Sequence, residues 1–347
     1  MVVPIDQLVL IVGAGASREL GSQGRPLPLM SDWNDILLRA LEARESGLAQ
    51  LVGIRGGQAG PDFEQAIGDF LAWQRIFHLS ARFLPLGLID RFDNDVRRWK
   101  DKAESRSKAV VDTLRTTLYQ EFSSARIETA AATAAYKALF ERFHLSTGAT
   151  ITVATTNYDP AVELALAELD RRPNVGAVDG RGGAKWLQPE HLIDACRAGR
   201  GVAVLHLHGK VGWYTQSDGQ VRIEAGDHSY NEYSGTPTVL MPDPSKDPLE
   251  EPAVRALWQE FDLALSQATH CLVLGHSLND PVLVDHIRTR AGGANKAVSV
   301  FPDVQQHDSE PTRPDDLLPG ARQIVIRFGP EPDIGSLEEW GGDLRNA

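Results

Sequence analysis

Six short runs of Val, Ile and Leu punctuate the chain, at Leu8–Val12, Ile151–Ala154, Val202–Leu207, Cys271–Gly275, Ala297–Phe301 and Ile324–Phe328. Each is apolar at consecutive rather than alternate positions, the pattern of a strand covered on both faces, as in parallel sheets. Helical periodicity separates most of them, which predicts repeated strand–helix–strand units. The expected fold is α/β, a doubly wound, mostly parallel six-stranded Rossmann-like sheet, with residues 1–347 forming a single domain.

Between the first two runs the pattern changes to helix. Phe63, Ile67, Phe70 and Leu71 share one face, and Val110, Leu114, Leu118 and Phe122 recur at i, i+4. An Ala-rich helix over Ile127–Phe143 follows and stops before Ser146, Thr147 and Gly148. These elements read as a helical insertion over residues 33–147. A second insertion, 210–248, opens with a hairpin in which Trp213–Thr215 faces Val221–Ile223 across Ser217-Asp218-Gly219. Val254, Leu257, Trp258, Phe261 and Leu265 then mark an amphipathic helix over Leu249–Ala268 leading into the Cys271 strand.

Composition narrows the class. Of 347 residues, 42% are hydrophobic and 24% charged, the balance of an ordinary globular chain. No apolar run approaches the roughly 20 residues that cross a bilayer. The first residues lack a basic segment followed by an apolar one, so no secretory signal is expected and the protein is placed in the cytoplasm. A net charge of −12 argues against sequence-independent binding to nucleic acid, which needs clustered Lys and Arg. The basic stretch Arg97, Arg98, Lys100 and Lys102 has acids interleaved and reads as a solvated helix face. Cys196 and Cys271 are the two cysteines; they form no CxxC pair and suit a reducing compartment.

Candidate chemistry gathers where the strands end. The first runs into Gly13-Ala14-Gly15-Ala16-Ser17, where small residues let backbone N–H groups approach a phosphate and a helix N-terminus follows. The dehydrogenase fingerprint would have glycine at position 18, which is Arg18. A glycine-rich turn that only closes a tight loop is the plainer alternative. The second strand ends in Thr155-Thr156-Asn157-Tyr158-Asp159-Pro160, offering an amide and a carboxylate; Asp159 equally suits a helix cap before Pro160. The third ends in His206-Leu207-His208-Gly209, with alternation placing both histidines on one face and no third residue spaced to complete a metal site. The fourth ends in Gly275-His276-Ser277-Leu278-Asn279-Asp280. It is unlike a serine-hydrolase elbow, because Asn279 stands where that motif has its second glycine.

In this order, the four segments resemble the sirtuin family, whose hallmarks are a GAGxS turn, a TQN-x-D segment, an HG pair and a later GxS turn. Val204–Trp213 resembles the bacterial sirtuin-like branch in particular. Two departures matter. Sirtuin deacylases carry a zinc ribbon of four cysteines, which two cysteines cannot build. Their FGE loop beside the acyl-lysine channel is replaced by Thr238-Val239-Leu240-Met241-Pro242-Asp243.

The resemblance implies NAD, as substrate, lying across the carboxyl edge of the sheet with no metal. It implies a binding set of Gly13, Ala14, Gly15, Ser17, Thr156, Asp159, Gly275 and Ser277, with Asn157 and His208 catalytic. It further implies that water accepts the ADP-ribose, making the protein an NAD glycohydrolase that depletes NAD in anti-phage defence. A homo-oligomer, or a regulatory partner such as an ATPase or an Argonaute-like protein, would then control it. An NAD-dependent protein deacylase and a non-catalytic sensor of NAD or ADP-ribose are the competing readings.

Overall fold

The computed structural model describes residues 7–29, 32–49, 69–70, 72, 94–142, 150–180, 184–199, 201–224, 235–240, 252–268, 270–276, 278, 280–291, 296–302, 322–326, 328 and 330–332. The described strands are β1 (Gln7–Val12), β2 (Thr150–Thr155), β3 (Pro173–Asn174), β4 (Ala177–Asp179), β5 (Lys185–Leu187), β6 (Val202–His206), β7 (Gly209–Thr215), β8 (Val221–Ile223), β9 (Thr236–Val239), β10 (His270–Leu274), β11 (Lys296–Pro302) and β12 (Arg322–Ile326). The described α-helices are α1 (Ala14–Arg18), α2 (Trp33–Arg44), α3 (Asn94–Phe122), α4 (Thr129–Arg142), α5 (Ala161–Glu168), α6 (Leu192–Gly199), α7 (Pro252–Gln267) and α8 (Pro281–Ala291). The chain divides into two compact units, one of residues 1–29, 121–240 and 247–347 and the other of residues 30–120 and 241–246.

The first unit is built on a seven-stranded sheet in the order β12-β11-β10-β1-β2-β6-β3, with every described pairing parallel. All six apolar runs form strands of it. The expectation of six strands is corrected by β3. Two residues beside β6, both half-buried, carry no apolar run from which a strand could be read.

Consecutive apolar residues are used on opposite faces. Leu8, Leu10, Val12, Ile151, Val153, Val202, Val204, Leu272 and Leu274 pack with residues of α4 and α5. Val9, Ile11, Ala154, Ala203, Leu205, Cys271 and Val273 pack with residues of α6, α7 and α8. The expected face of α7, Val254, Leu257, Trp258, Phe261 and Leu265, is buried in that second layer. Both cysteines are free and buried. Burial pushes the Cys196 thiol up to about 11 and the Cys271 thiol up to about 12, so neither is a ready nucleophile.

The strand order reverses at β1. The chain proceeds from β1 to β2 on one side, while β10, β11 and β12 lie on the other. Ligands of open α/β sheets bind outside the carboxyl ends of the strands at such a switch point. Register sharpens the placement. Val12 pairs with Leu274 on one side and Thr155 on the other, and Thr155 pairs with His206. Leu274, Val12, Thr155 and His206 therefore form one row across four adjacent strands, about 14 Å long at the usual strand spacing.

The hairpin has the expected facing, Trp213 with Ile223 and Thr215 with Val221. It belongs to a five-stranded antiparallel sheet, β4-β5-β8-β7-β9. Strands β4 and β5 precede β6 in sequence and hold three residues each, too few for period-2 alternation to be read. In the second unit, Leu37, Leu41 and Leu48 are buried, as are Val110, Leu114 and Leu118 of the expected helical face. Arg106 pairs with Glu45 at 3.0 Å there. Phe70 is buried, while Phe63, Ile67 and Leu71 of the other expected face lie outside the described residues.

Candidate functional site

Immediately beyond the row Leu274–Val12–Thr155–His206, all four candidate segments leave the sheet side by side. The β1 and β10 turns interlock. Gly13 N–H donates to the Leu274 carbonyl and Gly15 N–H to the Gly275 carbonyl, each at 2.9 Å. Gly275 has φ +60°, and a Cβ there would stand 2.1 Å from the Ala16 nitrogen. These glycines are thus required by the approach of one turn to the other, and the N–H groups of Gly13 and Gly15 serve that contact. Ala14 and Gly15 are half-buried, and Ser17 is buried. Helix α1 is five residues long, too short to build the macrodipole that a longer helix would offer at its N-terminus.

Asn157 ties the β2 end to this turn. Its Nδ2 donates to the Gly13 carbonyl at 3.1 Å and to Ser17 Oγ at 3.0 Å, and its own N–H donates to Thr155 Oγ1 at 3.0 Å. Asn157 is buried. Thr156 is half-buried, and its N–H donates to the Val12 carbonyl at 3.1 Å. Asp159 Oδ1 accepts from Ala161 N–H at 2.9 Å and from Ser17 Oγ at 3.3 Å. It thus serves the start of α5 while also holding Ser17. Burial raises its carboxyl above the usual aspartate range, with the Glu163 charge adding to the rise; the Ala161 and Ser17 hydrogen bonds and His206 act against it.

The two histidines diverge. A turn at Leu207-His208 ends β6, so alternation stops at His206 and the expected common face is not formed. His206, fully buried, places Nδ1 3.2 Å from the Asn157 carbonyl oxygen and Nε2 2.9 Å from Glu163 Oε1 on α5. Lys210 Nζ donates to the same Glu163 oxygen. Burial alone would raise the Glu163 carboxyl, but the charges and hydrogen bonds of Lys210 and His206 overcome it and hold the group well below the usual glutamate range.

His208 turns instead toward the β10 loop, with Nε2 3.1 Å from Asp280 Oδ2. Its carbonyl accepts from Leu240 N–H at 2.8 Å, while Tyr158 Oη donates to the Leu240 carbonyl at 2.7 Å. Gly209 must be glycine, since at φ +76° a Cβ would lie 2.1 Å from the Thr238 oxygen as β9 passes. In the β10 loop Leu278 has φ +58°, costly for a leucine, and its N–H donates to His276 Nδ1 at 2.9 Å. Ser277 lies outside the described residues.

The structure therefore brings Gly13, Ser17, Asn157 and Asp159 into one hydrogen-bonded cluster, sets Gly275 against it, and reaches His208 along the same edge. Among the described residues, no group of His, Cys, Asp and Glu is arranged to hold a metal ion, and no helix is long and apolar enough to cross a membrane.

Residues 151–311 match the SIR2-like domain. No curated protein matches the chain. Among solved structures, one from work on the mechanism and regulation of Sir2 enzymes is similar at 14% identity and a TM-score of 0.38, covering 92% of this chain and 87% of that one. Another, of Sir2 with a p53 peptide and NAD+, is similar at 15% identity and a TM-score of 0.34, covering 92% and 88%.

The SIR2-like segment holds Asn157, His206, His208 and Asp280, whereas the Gly13–Ser17 turn precedes it. Within that segment Asp280, Glu163 and Lys210 make contacts to which the strand-end motifs assign no role. Asp280 had a usable signal. Asp280-Pro281 repeats the Asp159-Pro160 pattern of a polar residue before a helix-starting proline, and both aspartates accept backbone N–H groups there. Glu163 had none, because its partners lie about 45 positions downstream.

Proposed function

We propose that the protein is a sirtuin-like enzyme that hydrolyses NAD at the bond between nicotinamide and ribose, releasing nicotinamide and ADP-ribose. The observation that carries this reading is the common register row, from which four chemistry-bearing segments emerge on four adjacent strands. The SIR2-like match over residues 151–311 supports it. In this proposal Gly13, Ala14, Gly15 and Ser17 lie against the phosphates, and Gly275 and Ser277 against the adenosine side. Thr156 and Asp159 shape the nicotinamide–ribose end, with Asn157 and His208 at the reacting centre.

The chemistry asks for little nucleophilic force. As the C1′–N1 bond breaks, its electron pair neutralises the pyridinium ring and leaves an oxocarbenium-like ribose. Water adds at C1′ and gives up one proton. What the protein supplies is placement of the ribose and water, together with a base for that proton. His208 is the base. Asn157, locked by Gly13 and Ser17, sets the wall against which the ribose is held.

The biological role proposed with it is NAD depletion as an effector of anti-phage defence in the cytoplasm, restrained by oligomerisation or by a partner chain of ATPase or Argonaute-like type. Product analysis tests the chemistry. Incubation with NAD and an acetylated peptide should give nicotinamide and ADP-ribose in equal amounts, with the peptide unchanged. Appearance of O-acetyl-ADP-ribose would assign the site to a deacylase, and intact NAD would assign it to binding alone.

A further inference from the structure

Asp280 uses its two carboxylate oxygens for different tasks. Oδ1 accepts from the N–H groups of Val282 at 3.0 Å and Leu283 at 3.2 Å, the first turn of α8. Those two bonds hold Oδ1 against the start of α8. Oδ2 is then aimed at His208 Nε2, 3.1 Å away, with both side chains almost wholly buried. An ionised carboxylate presents only acceptors, so with Asp280 charged the hydrogen between the two side chains belongs to the imidazole. No hydrogen-bond partner reaches Nδ1 of His208 among the described residues.

We propose that Asp280 is a positioning residue that fixes His208 as the Nε2–H tautomer, leaving Nδ1 as the atom that takes the proton during NAD cleavage. The catalytic use rests on the function proposed above; the tautomer does not. The logic is that of the aspartate in a Ser-His-Asp triad, which orients an imidazole and selects its tautomer without itself taking up the proton. Here the same carboxylate also starts a helix, so the backbone of α8 helps to aim it at the histidine.

The proposal makes an unusual ranking of variants. Asp280→Asn keeps the size and one capping oxygen, but its amide must turn either an N–H donor toward Nε2 or its oxygen away from α8. The first choice forces the hydrogen onto Nδ1 and blocks the base. Asp280→Ser keeps a cap for α8 and withdraws from His208, leaving the imidazole free to sample both tautomers. The isosteric variant is therefore the more damaged one. We expect kcat to fall about 10^3-fold for Asp280→Asn and about 10-fold for Asp280→Ser, with KM for NAD changed less than about 3-fold in both.

Nitrogen-15 NMR of the imidazoles, with His208 assigned by its loss in His208→Gln, reads the tautomer directly. In the neutral imidazole signal at pH 8.5 the protein should show His208 protonated on Nε2, and Asp280→Asn should show it protonated on Nδ1. A wild-type Nδ1–H form, an unswitched Asn variant, or a serine variant slower than the asparagine one would each overturn the proposal. If the tautomer and its switch are found while NAD stays intact, the positioning role stands and the hydrolase reading fails.

Discussion

Glu163→Ala should be the most destabilising single change in the polar cluster, lowering stability by about 3–5 kcal/mol. The carboxylate is buried between His206, fully enclosed, and Lys210, only 17% exposed, and one of its oxygens serves both. Removing it leaves two cationic or polar groups facing each other with no acceptor, the situation in which a broken buried pair costs most. At roughly 2–4 °C per kcal/mol for a unit of this size, the melting temperature should fall by about 10 °C. The pH dependence has a definite sign. The Glu163 carboxyl is held well below its ordinary value, so its stabilisation is complete above the usual glutamate range and is lost as pH falls through and below it. Asp159 runs the other way. Its raised carboxyl favours the folded state below the ordinary aspartate range, and that contribution is lost as pH rises through the folded value. Denaturant titrations at pH 7 and at pH 4 check both statements. A Glu163→Ala protein within about 1 kcal/mol of wild type at pH 7 would show that the cluster is solvated.

Gly275→Ala should be comparably severe, costing about 4 kcal/mol or more. Two penalties coincide, since the residue has φ +60° and the new methyl would fall 2.1 Å from a backbone nitrogen of α1, which cannot swing aside. The β1 and β10 turns would have to separate, breaking the Gly15 to Gly275 hydrogen bond at the centre of the sheet edge. Gly24→Ala is the matched control. It shares a positive φ of +69° but has nothing within 4 Å, so only the backbone cost of about 1 kcal/mol is expected. Equal losses at the two positions would mean that the interlock of the turns contributes nothing.

How far this architecture can be read from the chain follows from where its information lies. Parallel strands covered on both faces announce themselves as unbroken apolar runs, so β1, β2, β6, β10, β11 and β12 were legible. Strands β3, β4 and β5 have two or three residues each, too few to show a pattern, and are defined by their pairing with neighbouring strands. The candidate site divides in the same way. Asn157, Asp159 and His208 sit at strand ends and are of types suited to the chemistry. Their contacts are not legible, because Asn157 and Asp159 bond to Ser17, 140 or more positions away, and His208 to Asp280, 72 positions away. Alternation misled at His206 and His208 because it holds only while the strand continues, and β6 stops between them.

The central question is whether the row of strand ends forms one catalytic site for NAD. Steady-state release of nicotinamide from NAD, measured for the wild type and for His208→Ala with matching far-ultraviolet circular dichroism, addresses this most directly. The expected result is turnover by the wild type and a fall in kcat/KM of about 10^3-fold in the variant, the scale of losing a positioned base. Equal turnover by the two folded proteins would contradict it.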